Sequence, residues 1–381
     1  MIPRFKPNYG WSDWKAALTP SRGNIPKFEK AFAEKFGCES GVMFAHGRTG
    51  IYALMKIWGL KDAEVICPAY TCVVVPHAIV LSGNIPVFVD CEKDHYNMSL
   101  NGIHDAITEK TRAIIPTHLF GYPMDVNEVG RIVGEAEKKY GHRIYVIQDC
   151  AHSFGAKWKG ELVSTFGDAA VFGLNISKII NSIFGGMVIT QDKDLAADLR
   201  QWRDKYTNEI GLMKTLKRLA YFAAVNVAFN NQIYGIVNWL ESKGWLDRFV
   251  KYYEEDKIDF PSDWDYYPSE IEARIGLNQL KKYDGIISER RKRAREMIES
   301  MHDCEDIRML PFDEGATFSH IVGRVQDREK WIDRYSNQGK QLGILIEYSI
   351  PRLGAYKKFC ERETRMADEY AECTINFPTS A

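Results

Sequence analysis

Seven short β-rich runs, separated in several places by helical segments, constrain the fold of this chain more than any other feature of its sequence. Most of the runs are continuously apolar, as is typical of parallel strands that are buried on both faces. They lie at Gly41–Phe44, Glu64–Tyr70, Ile85–Asp90, Ala113–Leu119, Arg143–Asp149, Ala169–Leu174 and Gly186–Thr190. The alternation predicts an α/β domain built on a mostly parallel seven-stranded sheet.

The chain beyond the seventh run has a different pattern. Residues near 206–260 are helical in pattern but irregular, and we interpret them as an insertion into the large domain. A long helix is predicted over Glu270–Arg293, because its apolar residues fall near one face. Short elements then return around Phe318–Val325 and Gln341–Glu347, which indicates a smaller C-terminal α+β domain.

These patterns divide the 381 residues into two domains. We expect a large domain over 1–265, which includes an N-terminal arm and the helical insertion, and a small domain over 266–381. The insertion contains an apolar stretch, Leu219–Val237, but Asn226 and further amide side chains interrupt it. A bilayer span needs about 20 mostly apolar residues, so we do not expect membrane contact.

The charge balance and the cysteine pattern exclude several classes of protein. Lys and Arg number 50 against 51 Asp and Glu, so we expect no general binding to nucleic acid or to a membrane surface. The eight cysteines form no CxxC pair and no metal-ligand spacing with histidine. This indicates reduced thiols in a cytoplasmic protein and no bound metal. The first residues have no apolar core, so a signal peptide is not expected.

The turn Ala45-His46-Gly47-Arg48-Thr49-Gly50 connects the first predicted strand to a helix. Glycines in such a turn let backbone N–H groups approach an anion, and the helix N-terminus adds partial positive charge. The side chains of Arg48 and Thr49 add possible donors. An ordinary strand-to-helix turn has the same appearance, so this segment alone does not establish a phosphate site.

Two ionisable residues lie where strands of the predicted sheet end. Asp149 ends an apolar strand, and a poorly solvated carboxylate there needs a cation or a donor as partner, unless it simply caps a helix. Lys178 lies between apolar residues, and desolvation favours the neutral amine, which attacks aldehydes and ketones. A structural ion pair is the alternative for a single buried lysine.

The combination of these three features is more specific than any one of them. Lys178 follows Asp149 by 29 residues (178 − 149), and the phosphate-type turn lies upstream of both. Pyridoxal 5′-phosphate (PLP) requires an amine for its aldehyde, a carboxylate for its pyridinium nitrogen and a cradle for its phosphate. The sequence therefore predicts a PLP site formed by these segments.

Longer motifs around these residues resemble the DegT/DnrJ/StrS family of sugar aminotransferases, which are fold type I PLP enzymes. The resemblance extends from about Phe28 to Pro378. Its strongest parts are Pro68-Ala69-Tyr70-Thr71, Ile85–Asp90, Thr117-His118-Leu119-Phe120-Gly121, Asp149–Ala156, Phe166-Gly167-Asp168 and Ser269–Gly276.

The resemblance implies a reaction and a set of partners. Lys178 matches the family's Schiff-base lysine, and Asp149 matches the residue that pairs with the pyridinium nitrogen. The implied amino donor is L-glutamate, and the implied acceptor is a nucleotide-linked 4-keto or 3-keto hexose in amino-sugar and polysaccharide biosynthesis. Family members are homodimers with the active site at the subunit interface.

The sequence also departs from the family pattern in the cofactor site. His152 replaces the usual Gln beside the PLP phenolic oxygen, and Arg48 and Thr49 replace a Thr-Ala pair after Gly47. Cys72 stands where an aromatic residue commonly stacks on the ring, so Tyr70 is a candidate for that role.

Further departures affect the phosphate and the subunit interface. Gly173 replaces a phosphate-binding Ser, which leaves Asn175 or Ser177 as candidates for that contact. Asp265 and Tyr267 stand where an Asn and an Arg from the partner subunit are common.

Three alternatives remain open at the sequence level. The first is a sugar dehydratase that uses PLP. The second is a PLP-dependent transaminase that acts on a cyclitol or another non-sugar ketone. The third is a non-catalytic homologue. Family dehydratases carry His in place of the lysine, so Lys178 argues against that branch. A Rossmann oxidoreductase is disfavoured because no GxGxxG follows a predicted strand.

One basic stretch is interpreted as a solvated helix face, with contact to a diphosphate as the alternative. It comprises Arg200, Arg203, Lys205, Lys214, Lys217 and Arg218.

Overall fold

A computed structural model describes residues 1–230, 232–243, 245 and 254–379. Its strands are β1 (Ser40–Phe44), β2 (Glu64–Pro68), β3 (Ile85–Val89), β4 (Thr111–Ile114), β5 (Tyr145–Asp149), β6 (Lys157–Trp158), β7 (Glu161–Leu162), β8 (Ala169–Gly173), β9 (Gly186–Thr190), β10 (Ile307–Met309), β11 (Ile321–Val325) and β12 (Thr374–Phe377).

The largest sheet has seven strands in the order β1-β9-β8-β5-β4-β2-β3. Strands β3, β2, β4, β5 and β8 run parallel to one another, and β9 is antiparallel to both β8 and β1. Each of the seven predicted runs supplies one of these strands. The predicted α/β class and the mostly parallel seven-stranded sheet are therefore confirmed.

The helices are α1 (Trp11–Leu18), α2 (Asn24–Lys35), α3 (Gly47–Ile57), α4 (Val74–Leu81), α5 (Leu100–Ala106), α6 (Val126–Tyr140), α7 (Lys193–Tyr206), α8 (Leu212–Ala228), α9 (Tyr234–Ser242), α10 (Glu270–Met301), α11 (Arg328–Asn337) and α12 (Arg365–Cys373). Helix α10 begins with a capping box, in which Ser269 and Glu272 each accept a hydrogen bond from the other's backbone N–H. This arrangement satisfies N–H groups that a helix start leaves unpaired.

Both faces of the large sheet are buried, as its apolar strands require. Side chains alternate between the faces of a strand, so Val42 and Phe44 of β1 enter the core that contains α3, whereas Met43 enters the core formed with α2. The second core is rich in aromatic rings; its Phe32 lies 5.0 Å from Phe172, between ring centroids. Helices cover both sides and leave the strand ends as the accessible edges.

The C-terminal part contains the antiparallel sheet β10-β11-β12. The regular element predicted over Gln341–Glu347 is absent among the described residues. There the backbone of Gly343 pairs only with Asn376, and a Cβ on Gly343 would lie 2.5 Å from Arg4 Cδ, so the segment follows the N-terminal arm instead. One hydrophobic cluster joins both proposed domains, and the boundary at 265/266 stays a proposal.

The predicted insertion contains α8 and α9, and its residues 231, 244 and 246–253 lie outside the described part of the chain. Several apolar side chains on these helices are exposed, among them Leu212, Ile236 and Trp239. Among the described helices, none is both long enough and apolar enough to cross a bilayer.

Candidate active site

Lys178 lies in the loop that connects β8 to β9, at the edge where β5 and β8 end. The turn before it is fixed by Asn175, whose Oδ1 accepts hydrogen bonds from the backbone N–H and the hydroxyl of Ser177 at 3.1 and 2.7 Å. The Lys178 backbone N–H donates to the Asn175 carbonyl at 3.0 Å. A Cβ on Gly173 would lie 3.4 Å from Lys178 Cε, so the lysine stem packs over that glycine.

Asp149 is the last residue of β5 and is 5% exposed. Its Oδ1 accepts a hydrogen bond from the Ala151 N–H at 3.0 Å, and its Oδ2 accepts one from the Thr117 hydroxyl at 3.1 Å. Thr117 follows β4, the neighbouring parallel strand. Two adjacent strand ends therefore hold this carboxyl group in one orientation.

The electrostatic environment pushes both groups toward their neutral forms. Burial lowers the pKa of Lys178, and the nearby Cys72 thiol and Asp149 carboxyl only partly oppose this. Burial also raises the pKa of Asp149, against the Ala151 N–H, the charge of Lys178 and the Thr117 hydroxyl. Each group thus acts on the other's titration, and the structure brings the two predicted residues into one site.

Two buried imidazoles lie beside Lys178. Burial, followed by the charge of Lys178, holds the pKa of His152 and of His320 well below its usual value, so both rings are neutral. His152 Nδ1 accepts a hydrogen bond from the Phe120 N–H at 3.3 Å, which leaves Nε2 as the protonated nitrogen and a free donor. The ring centroids of His152 and His320 are 5.1 Å apart.

The two candidates for stacking on a cofactor ring are placed differently. Cys72 lies within electrostatic range of the Lys178 amine. Tyr70 is 1% exposed, its hydroxyl donates to the Ile346 and Tyr370 carbonyls at 3.2 and 3.4 Å, and its ring packs edge-on against neighbouring aromatic rings. The expectation that Tyr70 stacks on the ring is therefore corrected, because its ring is enclosed in the core.

The segment predicted to hold the phosphate is the first turn of α3. Its N-cap residue, His46, makes no side-chain cap, and a helix start leaves N–H groups unpaired. Strand β9 passes close to this turn, because a Cβ on Gly186 would lie only 2.2 Å from the backbone nitrogen of Gly47. The Thr49 hydroxyl donates to the Trp264 carbonyl at 2.9 Å, so this side chain is used within the protein. Arg48 is buried and, after burial itself, helps to lower the pKa of His77 to about 4.

A charged network, which we call the insertion anchor, ties α8 to the cradle and to α10. Asp263 contacts His46 Nε2 at 2.9 Å through Oδ1, and Lys214 and Arg218 at 3.2 and 3.4 Å through Oδ2. Arg218 Nη1 donates to both oxygens of Glu272 at 2.6 Å. The sequence pattern gave no signal for this network, because its members are separated along the chain.

Two further predictions about charged residues are modified by the structure. The basic stretch is not simply a solvated face, because Arg203 is buried against Glu29 at 2.5 Å and Arg218 belongs to the insertion anchor. Asp265 Oδ2 accepts a hydrogen bond from the Asn208 side chain at 2.9 Å, so it is fixed within its own chain. Its predicted role at a partner's phosphate stays a proposal.

His320 and Asn376 are site-lining residues that the sequence did not indicate. His320 precedes β11 and Asn376 lies in β12, and both border the cavity that opens beside the lysine loop. A histidine next to the apolar residues Ile321 and Val322, inside the strand predicted at Phe318–Val325, was the available signal. No local pattern distinguishes Asn376.

Comparison with known proteins places this geometry in a family. Residues 18–381 match the DegT/DnrJ/EryC1/StrS aminotransferase family. The chain is 31% identical over 276 residues to a GDP-perosamine synthase of Escherichia coli O157:H7, an alignment that covers 72% of this chain and 62% of that protein. It is 41% identical over 170 residues to a UDP-N-acetyl-3-dehydro-alpha-D-glucosamine 3-aminotransferase of Acidithiobacillus ferrooxidans, covering 44% of each.

The fold comparison covers the whole chain. A sugar aminotransferase from Micromonospora echinospora superposes with a TM-score of 0.77 at 20% identity, covering 100% of this chain and 95% of that one. With the curated relatives, by contrast, the chain spans 62% of the GDP-perosamine synthase's length. The match over residues 18–381 shows that the chain belongs to the DegT/DnrJ/EryC1/StrS aminotransferase family.

Proposed function

We propose that this chain is a PLP-dependent aminotransferase that moves an amino group from L-glutamate to a nucleotide-linked keto sugar. The observation that carries the proposal is the pairing of Lys178 with Asp149. Both lie at strand ends of the large sheet, both are shifted toward neutrality by burial, and each acts on the other's pKa. Membership of an aminotransferase family supplies the frame for this pair.

The residues at the site fit PLP. Asp149, whose pKa burial raises, offers its carboxyl group to the pyridinium nitrogen, and a cation there stabilises the ionised form. The first turn of α3 at Gly47 and Arg48 offers backbone N–H groups to the phosphate. His152 Nε2–H is a free donor for the phenolic oxygen. Bound PLP supplies an aldehyde for the lysine and a ring that accepts an electron pair.

Lys178 is the residue that moves the proton. Burial lowers its pKa, so a larger share of the amine is unprotonated near neutral pH than for an exposed lysine. A neutral amine at this position takes the proton from the amino donor's Cα. Neutral His152 and His320 lie beside it and add no positive charge that would hinder its reprotonation.

The proposed substrates and assembly rest on similarity. The two relatives named as a GDP-perosamine synthase and a UDP-sugar 3-aminotransferase carry nucleotide-linked sugars in their names. This supports a nucleotide-linked acceptor and a role in amino-sugar biosynthesis, whereas L-glutamate as donor is proposed from the resemblance of the sequence motifs to the family. We further propose a homodimer with shared active sites, in which Asp265 and Tyr267 face the partner's cofactor.

A half-reaction experiment tests the proposal. Protein purified with PLP and mixed with L-glutamate alone should release 2-oxoglutarate and convert the cofactor to its pyridoxamine form, followed by visible absorbance. A panel of nucleotide-linked keto sugars and cyclitol ketones should then identify a compound that restores the starting spectrum. Retention of PLP without any conversion by L-glutamate or another amino acid would contradict an aminotransferase and favour the non-catalytic alternative.

A further inference from the structure

A cavity of about 500 Å³ opens between the lysine loop and the helical insertion. Its lining includes Asn175, Ser177 and His320, which lie near Lys178, and also Arg4 and Glu241. Small-molecule sites in proteins have volumes of roughly 300–1,000 Å³ and combine apolar walls with a few polar groups. The position and size of this cavity suit a substrate whose reacting atom lies at the lysine.

Aromatic side chains from the insertion, from the loop between β8 and β9 and from the N-terminal arm form much of the wall. The rings of Phe184 and Tyr221 lie 5.2 Å apart between centroids, and Phe229 packs against Phe5 at 4.8 Å and Tyr234 at 5.5 Å. These rings present C–H and π surfaces to the cavity. A pyranose ring also has apolar C–H faces, so the wall is complementary to an uncharged sugar ring.

The backbone at the cavity edge holds a strained conformation. Ile183 has a φ of +77°, which is unusual for a β-branched residue, and its side chain is fully buried. Its N–H donates to the Tyr9 hydroxyl at 3.2 Å. Because such residues cost about 1–3 kcal/mol and persist only where surrounding packing enforces them, the segment that carries Phe184 is firmly placed.

One polar residue of the cavity lining, Asn376, has a side-chain oxygen without a protein partner. Asn376 is 3% exposed, and its side-chain Oδ1 makes no hydrogen bond to any described residue. Its backbone is fixed by two hydrogen bonds with Gly343, at 2.9 and 2.8 Å. An unsatisfied buried acceptor costs about 1–3 kcal/mol, and a ligand O–H or N–H removes that cost.

The charges around the cavity do not favour a diphosphate in it. Of the described residues that line it, Arg4 and Glu241 are the two with a full charge, and they form an ion pair at 3.3 Å. His320 is kept neutral by burial. A diphosphate requires cations that are not already neutralised.

We propose that the insertion encloses the uncharged ring of the amino acceptor in this cavity, with Phe184 and Tyr221 against its C–H face and Asn376 on one of its hydroxyl groups. Any diphosphate lies outside the cavity. This inference rests on the proposed aminotransferase function and gives the insertion a role as the acceptor's specificity wall.

Filling the cavity tests the proposal with a matched control. Ala224 and Ala220 are both exposed alanines of α8, but only Ala224 lines the cavity. Ala224→Trp should slow regeneration of the starting spectrum by the keto sugar at least about tenfold more than it slows the reaction with the smaller L-glutamate. Ala220→Trp should change neither. Equal behaviour of the two variants would overturn the proposal.

A binding experiment examines Asn376 without turnover. Calorimetry with the holoenzyme compares GDP-mannose with GDP and UDP-N-acetylglucosamine with UDP. In the wild type at least one nucleotide sugar should bind more tightly than its diphosphate. Asn376→Ala should reduce that advantage about tenfold, the value of one buried hydrogen bond, while the diphosphate alone binds as before.

The outcomes separate the two proposals. An unchanged sugar advantage in Asn376→Ala, an equal loss of diphosphate binding, or a wild type without any sugar advantage would overturn the cavity assignment. Failure of L-glutamate and of other amino acids to convert the cofactor would instead overturn the proposed function, and the binding comparison would still report on the cavity.

Discussion

Two buried clusters of titratable groups lie within this fold, and they differ in how their charges are balanced. In the insertion anchor, Arg218 meets both oxygens of Glu272 at 2.6 Å, and Asp263 meets His46 at 2.9 Å. In the lysine site, burial outweighs the attraction between Lys178 and Asp149 in setting the pKa of each group. The first cluster neutralises itself, and the second does not.

The pKa shifts follow this contrast for Asp263, although burial still raises the pKa of Glu272 against the charge of Arg218. Burial acts to raise the pKa of Asp263, but His46, Lys214 and Arg218 overcome it and hold that pKa well below its usual range. For Asp149 burial prevails, and for Lys178 burial prevails in the opposite direction. A network that satisfies its own charges is structural, whereas an uncompensated buried acid beside an uncompensated buried amine is poised to accept groups from a ligand.

The largest effect is expected when the lysine site loses its amine. Lys178→Ala should lower the rate of the L-glutamate half-reaction by about 10³-fold, within the usual range for removal of a general base. Lys205→Ala, an exposed lysine on α7, is the control and should behave as the wild type. Single-turnover absorbance provides the measurement, and a residual rate within tenfold of the wild type would show that another group moves the proton.

The insertion anchor should respond in stability rather than in chemistry. Arg218→Met leaves Glu272 buried without its partner, and the expected loss in the free energy of unfolding is about 3–5 kcal/mol. The double variant Arg218→Met/Glu272→Met should recover part of this loss. Lys217→Met, on the exposed side of α8, should change stability by less than about 0.5 kcal/mol. Denaturant unfolding measures these changes. Equal stability of Arg218→Met and Lys217→Met would contradict a structural role for the insertion anchor.

The buried carboxyl group of Asp149 should make the stability of the folded protein depend on pH. Burial raises the pKa of Asp149, so the folded protein without PLP binds a proton more tightly than the unfolded chain does. Its stability should therefore fall as pH rises from the usual Asp value, about 3.9, through the raised value, and then level off. Asp149→Asn should lack this decrease. The difference in melting temperature between the wild type and Asp149→Asn should grow as the pH rises. A difference that is constant across pH would argue against a raised pKa of Asp149.

The smallest expected effect concerns the cofactor ring. Cys72→Phe would place an aromatic ring where this chain has a thiol near Lys178. A stacked pair contributes about 0.5–1.5 kcal/mol, so PLP should bind about fivefold more tightly. Cys360→Phe, at an exposed cysteine, is the control. Fluorescence titration with PLP measures both, and weaker binding in Cys72→Phe would indicate that position 72 does not face the ring.

The sequence was sufficient for the sheet, and it led to the proposal of the two central residues, because both depend on local patterns. Apolar runs identified all seven strands, and Asp149 at the end of β5 and Lys178 beyond the end of β8 were proposed from these positions. Ion pairs between residues that are far apart in the sequence could not be predicted from such local patterns. The partners of Arg203 and Arg218 lie 174 and 54 residues away, so a basic stretch that looked solvated is partly buried.

The same reason explains the misplaced role of Tyr70 and the missed role of Asn376. Tyr70 is enclosed by Phe120 and by Tyr370, which is 300 residues away. Asn376 reaches the cavity only because β12 pairs with β11. Contacts between the N-terminal arm, the insertion and the C-terminal segment form this part of the site, and each is tertiary in origin.

Covalent mapping of the cofactor tests the central claim most directly. Holoenzyme treated with borohydride, which reduces the bond between PLP and a lysine, should yield after proteolysis a single modified peptide, and mass spectrometry should locate the added mass on Lys178. The Lys178→Ala protein should yield none. Modification of a different lysine in the wild type, or of the same peptide in Lys178→Ala, would contradict the assignment of this residue and the site built around it.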